Sequence, residues 1–379
     1  MGPLSGVKIV ELFCIGPGPF AAMQLSDMGA DVLLVDRPVE QNLGYPDHRY
    51  RYMYRNRRSV RFDLKNEQHV EHVLQLVEEA DGLIEGFRPG VAERLGLGPD
   101  VCLERNPRLV YGRMTGWGQE GPNAQRAGFD ANFISASGAL WAIGDPDRPP
   151  PPPLILAGDL GGGGMYLAMG MIAALYEAQR SGEGQVVDAA IADGALNLMS
   201  YVFGNHDGGT WVNERGANVV DGGDWRYGSY RCKDDKFVSI ALLQAKFLRA
   251  FVHKTGIDFS GLVDPGDREL WPEYRRRMEQ LFASRTRDEW TEFFDGPDDN
   301  VHPVLDLVEV HDSPQNRDRD AFVEVEGTQQ PAPAPRFSRT ASEVARPAPR
   351  PGEGGADALV EWGFDQATID SLADQGLLN

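Results

Sequence analysis

Val7-Lys8-Ile9-Val10-Glu11-Leu12, then Gly16-Pro17-Gly18-Pro19, Phe20–Met28, Gly29-Ala30-Asp31 and Val32-Leu33-Leu34-Val35-Asp36 decide the fold. The first run is apolar and of strand length. Phe20–Met28 carries apolar residues at helical spacing, Gly29 interrupts it, and Val32–Asp36 is a second strand. Strand, helix, strand in this order is a βαβ unit, and it predicts a parallel, doubly wound sheet. The spelling Gly16-x-Gly18-x-x-Ala21 with Asp36 downstream resembles a dinucleotide fingerprint. Pro17 and Pro19 argue against it, because they remove two N–H donors that a pyrophosphate cradle needs.

The alternation continues outward from this unit. A helix is predicted over His69–Ala80, a strand at Leu83-Ile84-Glu85, a short helix over Val91–Leu95 and a strand over Leu109–Met114, giving one α/β domain to about Ala190. The character changes over 215–250. Tyr230–Lys236 and Phe237–Ala241 read as antiparallel strands with a turn at Asp234-Asp235, followed by helices over Ala245–Lys254, Leu270–Ser284 and Thr286–Phe294. Gln329–Gly355 is proline-rich and predicted to run extended over the surface, and Ala356–Leu378 closes with one or two amphipathic helices.

Composition narrows the function. The 379 residues carry a formal net charge of −20, which disfavours a nucleic-acid or anionic-membrane binder. Cys14, Cys102 and Cys232 are odd in number and far apart, which points to a reducing, cytoplasmic location without a disulfide framework. The apolar stretch Met165–Tyr176 is too short to span a bilayer.

Three local patterns carry candidate chemistry. Leu154-Ile155-Leu156-Ala157-Gly158-Asp159-Leu160 with Gly161–Gly164 reads as an extended lead-in, a carboxylate at a turn and a glycine loop opening the helix Met165–Glu177. The glycines would let a ligand approach the main chain, while the plain alternative is an N-capping Asp on a flexible loop. Residues 49–61 hold six arginines and no acid. They read as a small-anion site of phosphate type, as a basic face paired with acids elsewhere, or, with the interleaved tyrosines, as an RNA contact. His69-x-x-His72 lacks the partners of a zinc site and is expected to be a solvated helix face, so no metal is predicted.

The chain resembles the family III CoA-transferase fold (CaiB/BaiF-like) and, within it, the α-methylacyl-CoA racemases. The resemblance rests on Leu4–Leu12, Gly29-Ala30-Asp31-Val32 with Asp36-Arg37-Pro38, Arg55-Asn56-Arg57-Arg58, Arg88-Pro89-Gly90-Val91, Thr115–Pro122, Gly158-Asp159, Gly182–Asp193, Arg215–Asn218, Asp221-Gly222-Gly223 and Pro335-Arg336-Phe337-Ser338. It implies a large Rossmann-like CoA-binding domain from residues 1–200, completed by 325–379. A linker would cover 201–220, a smaller α+β domain 221–310, and a return linker with the C-terminal segment 311–379. It also implies an interlocked homodimer and an acyl-CoA substrate, with coenzyme A as part of that substrate and no permanently bound cofactor. CoA would contact Arg37, Arg58, Phe62, Asp63, Leu64, Arg88 and Arg94. The acyl pocket would be built by Ile15, Gly16, Phe129, Asp130, Ile155 and Gln244 around the catalytic Asp159.

In the racemase pattern two acid/base units flank the substrate α-carbon: an Asp in the position of Asp159, and a His assisted by a Glu from the partner subunit. Here Phe129 stands in the place of the His, Gln244 in that of the Glu, and Ile155 where the pattern has Asn. Neither Phe nor Gln exchanges a proton with carbon. Three readings follow: a racemase-like enzyme repurposed for α-carbon chemistry with Asp159 as its remaining acid/base, a CoA-transferase with Asp159 as nucleophile, or a CoA-thioester binder without turnover.

Overall fold

The computed structural model describes residues 2–39, 43–262 and 264–378. It divides into two compact units, one of residues 1–139, 154–199 and 317–379, the other of 140–153 and 200–316.

The first unit is built on six parallel strands: β1 Lys8–Leu12, β2 Asp31–Asp36, β3 Arg57–Arg61, β4 Gly82–Glu85, β5 Val110–Thr115 and β6 Gln185–Ala190. Their order is β3-β2-β1-β4-β5-β6, and Ile9 pairs with Val32 on one side and Gly82 on the other. The mixed α/β fold with a large parallel sheet is the one the opening βαβ unit predicts. Side chains alternate between two cores. Val10, Leu33, Leu83 and Tyr111 pack with Val73, Leu76, Leu359 and Trp362, while Ile9, Val32, Ile84 and Val110 pack with Leu25, Leu167 and Met171. Strands covered on both faces read as near-continuous apolar runs, which is how Val32–Val35 of β2 reads. Burying each such side chain contributes about 1.5–3 kcal/mol.

The helix after β1 begins earlier than its apolar spacing suggests, at Pro17, and runs to Asp27. Proline suits a first turn, whose N–H groups have no helical partner in any case. Gly16 precedes it at φ 74°, a left-handed conformation that glycine adopts freely.

Strand β3 was hidden by its arginines, and three of the six in residues 49–61 follow the reading in which they pair with acids elsewhere in the chain. Arg57 is fully buried and its Nε lies 2.9 Å from Glu11 on β1, while its Nη2 donates to the Pro19 carbonyl at 2.6 Å. Arg55 is buried against Asp27, with Nε to Oδ1 at 3.0 Å. Arg58 pairs with Asp31 at 2.8 Å and Glu361 at 2.7 Å. Arg55, Arg57 and Arg58 thus tie β1, β2, β3, the first helix and the C-terminal segment together through internal carboxylates.

His69 and His72 are a second correction: both are buried against Phe62, with ring centroids 5.6 and 5.8 Å away, and do not form a solvated face. Among the described residues no cluster of three or more His, Cys, Asp or Glu is arranged for a metal ion, all three cysteines are free and buried, and no helix is long and apolar enough to cross a membrane.

The stretch 329–355 starts inside a hairpin (Phe322–Val325 with Thr328–Pro331) and then lies along β3, where Gly352 N–H donates to Ser59 Oγ at 3.0 Å. The helices Gly355–Glu361 and Gln366–Asp374 follow, as their amphipathic pattern predicts. Leu359, Trp362, Ile369 and Leu372 complete the core beside Val60 and Phe62.

The second unit has three antiparallel strands in order: β7 Tyr227–Arg231, β8 Phe237–Ala241 and β9 Val301–Val304. The hairpin was legible, but β9 was not. Helices Ala245–Thr255, Trp271–Phe282 and Arg287–Phe293 enclose an aromatic core in which Trp225 stacks on Tyr274 at 4.4 Å.

Candidate active site

The sheet order reverses between β1 and β4, and a doubly wound sheet opens a crevice there at the carboxyl ends of its strands. Leu12 runs on into Phe13-Cys14-Ile15-Gly16, Glu85 into Gly86-Phe87-Arg88, and Thr115 into Gly116-Trp117. These three connections line a cleft of about 280 Å³ that contains Asp159. The turn after β4 is fixed from beneath. Buried Glu85 accepts the Phe87 N–H at 2.6 Å and is itself held by Arg113 Nε at 2.9 Å.

Asp159 does not sit on a loop. Leu156–Met165 forms one wide helical coil, with Leu160 N–H bonded five residues back to the Ile155 carbonyl at 3.1 Å, and it runs directly into the helix Tyr166–Ser181. The expected extended lead-in and flexible glycine loop are thus replaced by a helix. The glycines serve packing. A β-carbon on Gly162 would lie 2.6 Å from Ala195 N, and one on Gly194 1.8 Å from the Gly162 carbonyl oxygen, so the coil and the helix Ile191–Leu198 meet backbone to backbone. Gly16 is different, because it opens space for chemistry. A β-carbon there would lie 2.9 Å from Asp159 Oδ2.

Two residues before the coil are strained. Leu154 and Ile155 have φ of 55° and 58°, a left-handed conformation that costs a side-chain-bearing residue about 1–2 kcal/mol and that Asn tolerates best. Ile155→Asn is expected to raise stability by about 1 kcal/mol, read as a higher urea midpoint. An unchanged or lower midpoint would show that the Ile155 side chain returns more in packing than its backbone costs.

Asp159 is half-buried, and its backbone N–H donates to Asp130 Oδ1 at 2.7 Å. This bond caps the first turn of the coil, where N–H groups lack helical partners. Asp130 is itself buried, and its Oδ2 has no hydrogen-bond partner among the described residues. Removal from water, and next the negative charge of Asp130, raise the Asp159 pKa from 3.8 to about 6. Burial therefore outweighs any lowering by the helix start.

Phe129 caps the helix Asp130–Ser135 and lines the same cleft, with 75 % of its surface exposed. The structure thus brings Ile15, Gly16, Phe129 and Asp159 together, with Asp130 directly behind. Ile155 precedes the coil and does not line the cleft. Gln244 belongs to the second unit, exposed at the start of the helix Ala245–Thr255. Sequence reasoning did not single out Trp117, Phe133 and Arg126, which also line the cleft. Trp117 and Phe133 meet edge to face at 5.1 Å.

A groove of about 540 Å³ lies over β2 and β3, lined by Asp36, Arg37, Phe62, Asp63 and Leu64. Between it and the Asp159 cleft is a third hollow. It shares Phe13 and Arg37 with the groove, Ile15 and Gly86 with the cleft, and Phe87 with both, so the three form one trough along the strand ends. Arg88 lines the cleft end of the trough. Arg94, on the short helix Val91–Arg94, lines none of the three hollows, and neither does Arg58, for the reason given above.

The chain is similar over its whole length to proteins that share this architecture. It is 38 % identical over 372 residues to an α-methylacyl-CoA racemase of Mus musculus, covering 97 % of this chain and 96 % of the relative. It is also 28 % identical over 404 residues to a succinyl-CoA:glutarate CoA-transferase of Homo sapiens, covering 100 % and 90 %. The crystal structure of a CAIB/BAIF family protein from Brucella suis superposes with a TM-score of 0.81 at 26 % identity, covering 95 % of this chain and 99 % of that one. The sequence model of CoA-transferase family III matches residues 4–354, and the chain belongs to that family.

Proposed function

We propose that the protein is an enzyme acting at the α-carbon of an acyl-CoA thioester, with Asp159 as its acid/base. The observation that carries this is a half-buried carboxyl group, raised to about 6, at the switch-point end of a trough long enough to hold an extended ligand. A base that removes a proton from carbon works best with a pKa near the operating pH, and an ordinary aspartate at 3.8 is too weak. CoA would lie along the trough, its nucleotide end against Arg37, Phe62, Asp63 and Leu64, its acyl end at Ile15, Gly16, Phe129 and Asp159. No permanently bound cofactor is required. Thioester delocalisation stabilises the enolate, and N–H groups around the site would assist.

Phe129 sets the character of the reaction. Inversion needs a proton donor on the second face of the α-carbon, and a phenyl ring supplies none. Proton removal and return would then use one face, giving exchange with retention of configuration. A paired assembly belongs to this proposal. Met165 at the end of the coil, and Met169 and Tyr176 on the helix it runs into, are all more than 45 % exposed and support it as an apolar surface suited to a partner. A second reading, acyl transfer through an Asp159 anhydride, is supported by the transferase among the relatives.

The experiment is incubation with a 2-methylacyl-CoA in deuterated water, following label at the α-carbon. Label with retained configuration supports the proposal. No label, with hydroxylamine trapping of Asp159 in the presence of acyl-CoA, would replace it by the transferase reading.

Asp130 sets where exchange titrates. Asp130→Asn keeps an oxygen to accept the Asp159 N–H and removes the charge. The acid limb of exchange is expected to move below about 6 yet stay above 3.8, because burial, the larger cause, remains. An unmoved limb would mean that the Asp130 side chain does not act on Asp159 electrostatically.

A further inference from the structure

The wall of the nucleotide-side groove rests on a histidine that no part of the proposed chemistry uses. The Asp63 N–H donates to His69 Nδ1 at 3.0 Å. Phe62, Asp63 and Leu64 form that wall, and the Phe62 ring packs on the His69 ring at 5.6 Å. His69 lies in the first turn of the helix Glu67–Glu79 with its ring buried, while Asp63 at the other end of the bond is exposed. We propose that His69 is a positioning residue for the CoA groove, and that its protonation releases the wall and weakens CoA binding. The proposal rests on the reading of this groove as the CoA site.

The chemistry follows from the ring. Nδ1 can accept a hydrogen bond only in the neutral imidazole that carries its proton on Nε2. Protonation places an N–H on Nδ1 facing the Asp63 N–H, so an attractive contact becomes two opposed donors. The turn Asp63–Asn66 must then shift, and Phe62 and Leu64 are carried on the same backbone.

The groups that face His69 are few. On its own helix is His72, from the end of β3 come Phe62 and Asp63, and from the C-terminal segment comes Gln375. Burial first, and then His72, hold the His69 pKa below its ordinary 6.5. The Asp63 carboxylate and Gln375 act in the other direction without overcoming them. The bond is therefore intact at neutral pH and is lost as pH falls below the ordinary imidazole range. Asp36, in the same groove, titrates at about 6 for its own reason, chiefly burial, and CoA phosphate titrates as well. A pH effect must accordingly be separated by substitution.

The test is the Kd of the full-length protein for CoA in a pH series from 7.5 down to 4.5, by calorimetry, for wild type, His69→Asn and His69→Leu. Asn places an amide oxygen near the Nδ1 position and does not titrate. Across the series wild type is expected to lose on the order of tenfold in affinity beyond whatever His69→Asn loses, the worth of about one hydrogen bond. His69→Leu is expected to bind about tenfold more weakly than wild type at pH 7.5. Equal pH ratios for wild type and His69→Asn overturn the proposal, and so does wild-type affinity in a folded His69→Leu. If His69→Leu fails to fold, the Asn comparison decides alone. No CoA binding by wild type at pH 7.5 would overturn the functional reading itself and this proposal with it. Binding that is indifferent to His69 overturns only the latter.

Discussion

Asp159→Asn is expected to reduce α-proton exchange by about 100- to 10,000-fold, the range associated with loss of a general acid/base, while CoA binding is kept. The substitution is close to isosteric and preserves the two contacts that place the residue. The capping bond to Asp130 comes from the backbone N–H and is unaffected, and the amide still fits beside Gly16, where any β-carbon would crowd Oδ2. What disappears is the group that takes the proton. In the wild type the active form is the carboxylate, so exchange should be constant well above pH 6 and fall about tenfold per pH unit below it, following the raised pKa. The variant should show a low rate without that limb. Deuterium incorporation measured from pH 4.5 to 8 tests both statements together. Equal rates in variant and wild type would remove Asp159 from the chemistry, and a wild-type limb near 4 would mean that the cleft is wetter than its lining of Ile15, Phe129 and Phe133 suggests.

Most of the sheet could be read from the sequence because β1, β2, β4 and β5 are short, largely apolar runs separated by glycine and helical spacing, whereas β6 was not singled out. β3 could not, because Arg57-Arg58-Ser59-Val60-Arg61 has the composition of an exposed loop. Its character depends on Glu11, Asp31 and Glu361, distant in sequence, which neutralise it. The same long-range dependence separates Arg37, which lines the groove, from Arg58, which does not, although both stood out equally in the sequence. At the site itself, Asp159 and Phe129 were legible through the resemblance, and the structure sets both in one cleft. The helical coil around Asp159 was not legible. Four glycines look flexible locally, and only the helices Ile191–Leu198 and Pro17–Asp27 packed against them show that they are there for close approach. His69 was missed because a histidine on a helix carries no sign of whether its partner is water or a buried N–H.

Arg57→Met is expected to destabilise the protein by about 3–5 kcal/mol, the cost of leaving a buried charge without its partner. Both side chains of the Glu11–Arg57 pair have zero exposure, so water cannot replace the guanidinium. The Arg57 side chain also donates to the carbonyls of Pro19, Met53 and Arg55, each bond worth about 1 kcal/mol. The double variant Glu11→Leu/Arg57→Met removes the stranded charge as well and should recover part of the loss. It should not recover all of it, because the carbonyls of Pro19, Met53 and Arg55 lose the guanidinium as a donor. Urea unfolding of the wild type, both single variants and the double variant measures the coupling. Single-variant costs that simply add would mean that the two charges act independently, which their 2.9 Å contact argues against. The consequence reaches the site, since Pro19 lies in the first turn of the helix that starts beside Gly16, and Gly16 faces Asp159. A loosened first turn moves the one residue that leaves the carboxylate open. Exchange activity of the Arg57→Met variant should therefore fall more than its folded fraction does, and an activity that tracks the folded fraction alone would confine the pair to stability.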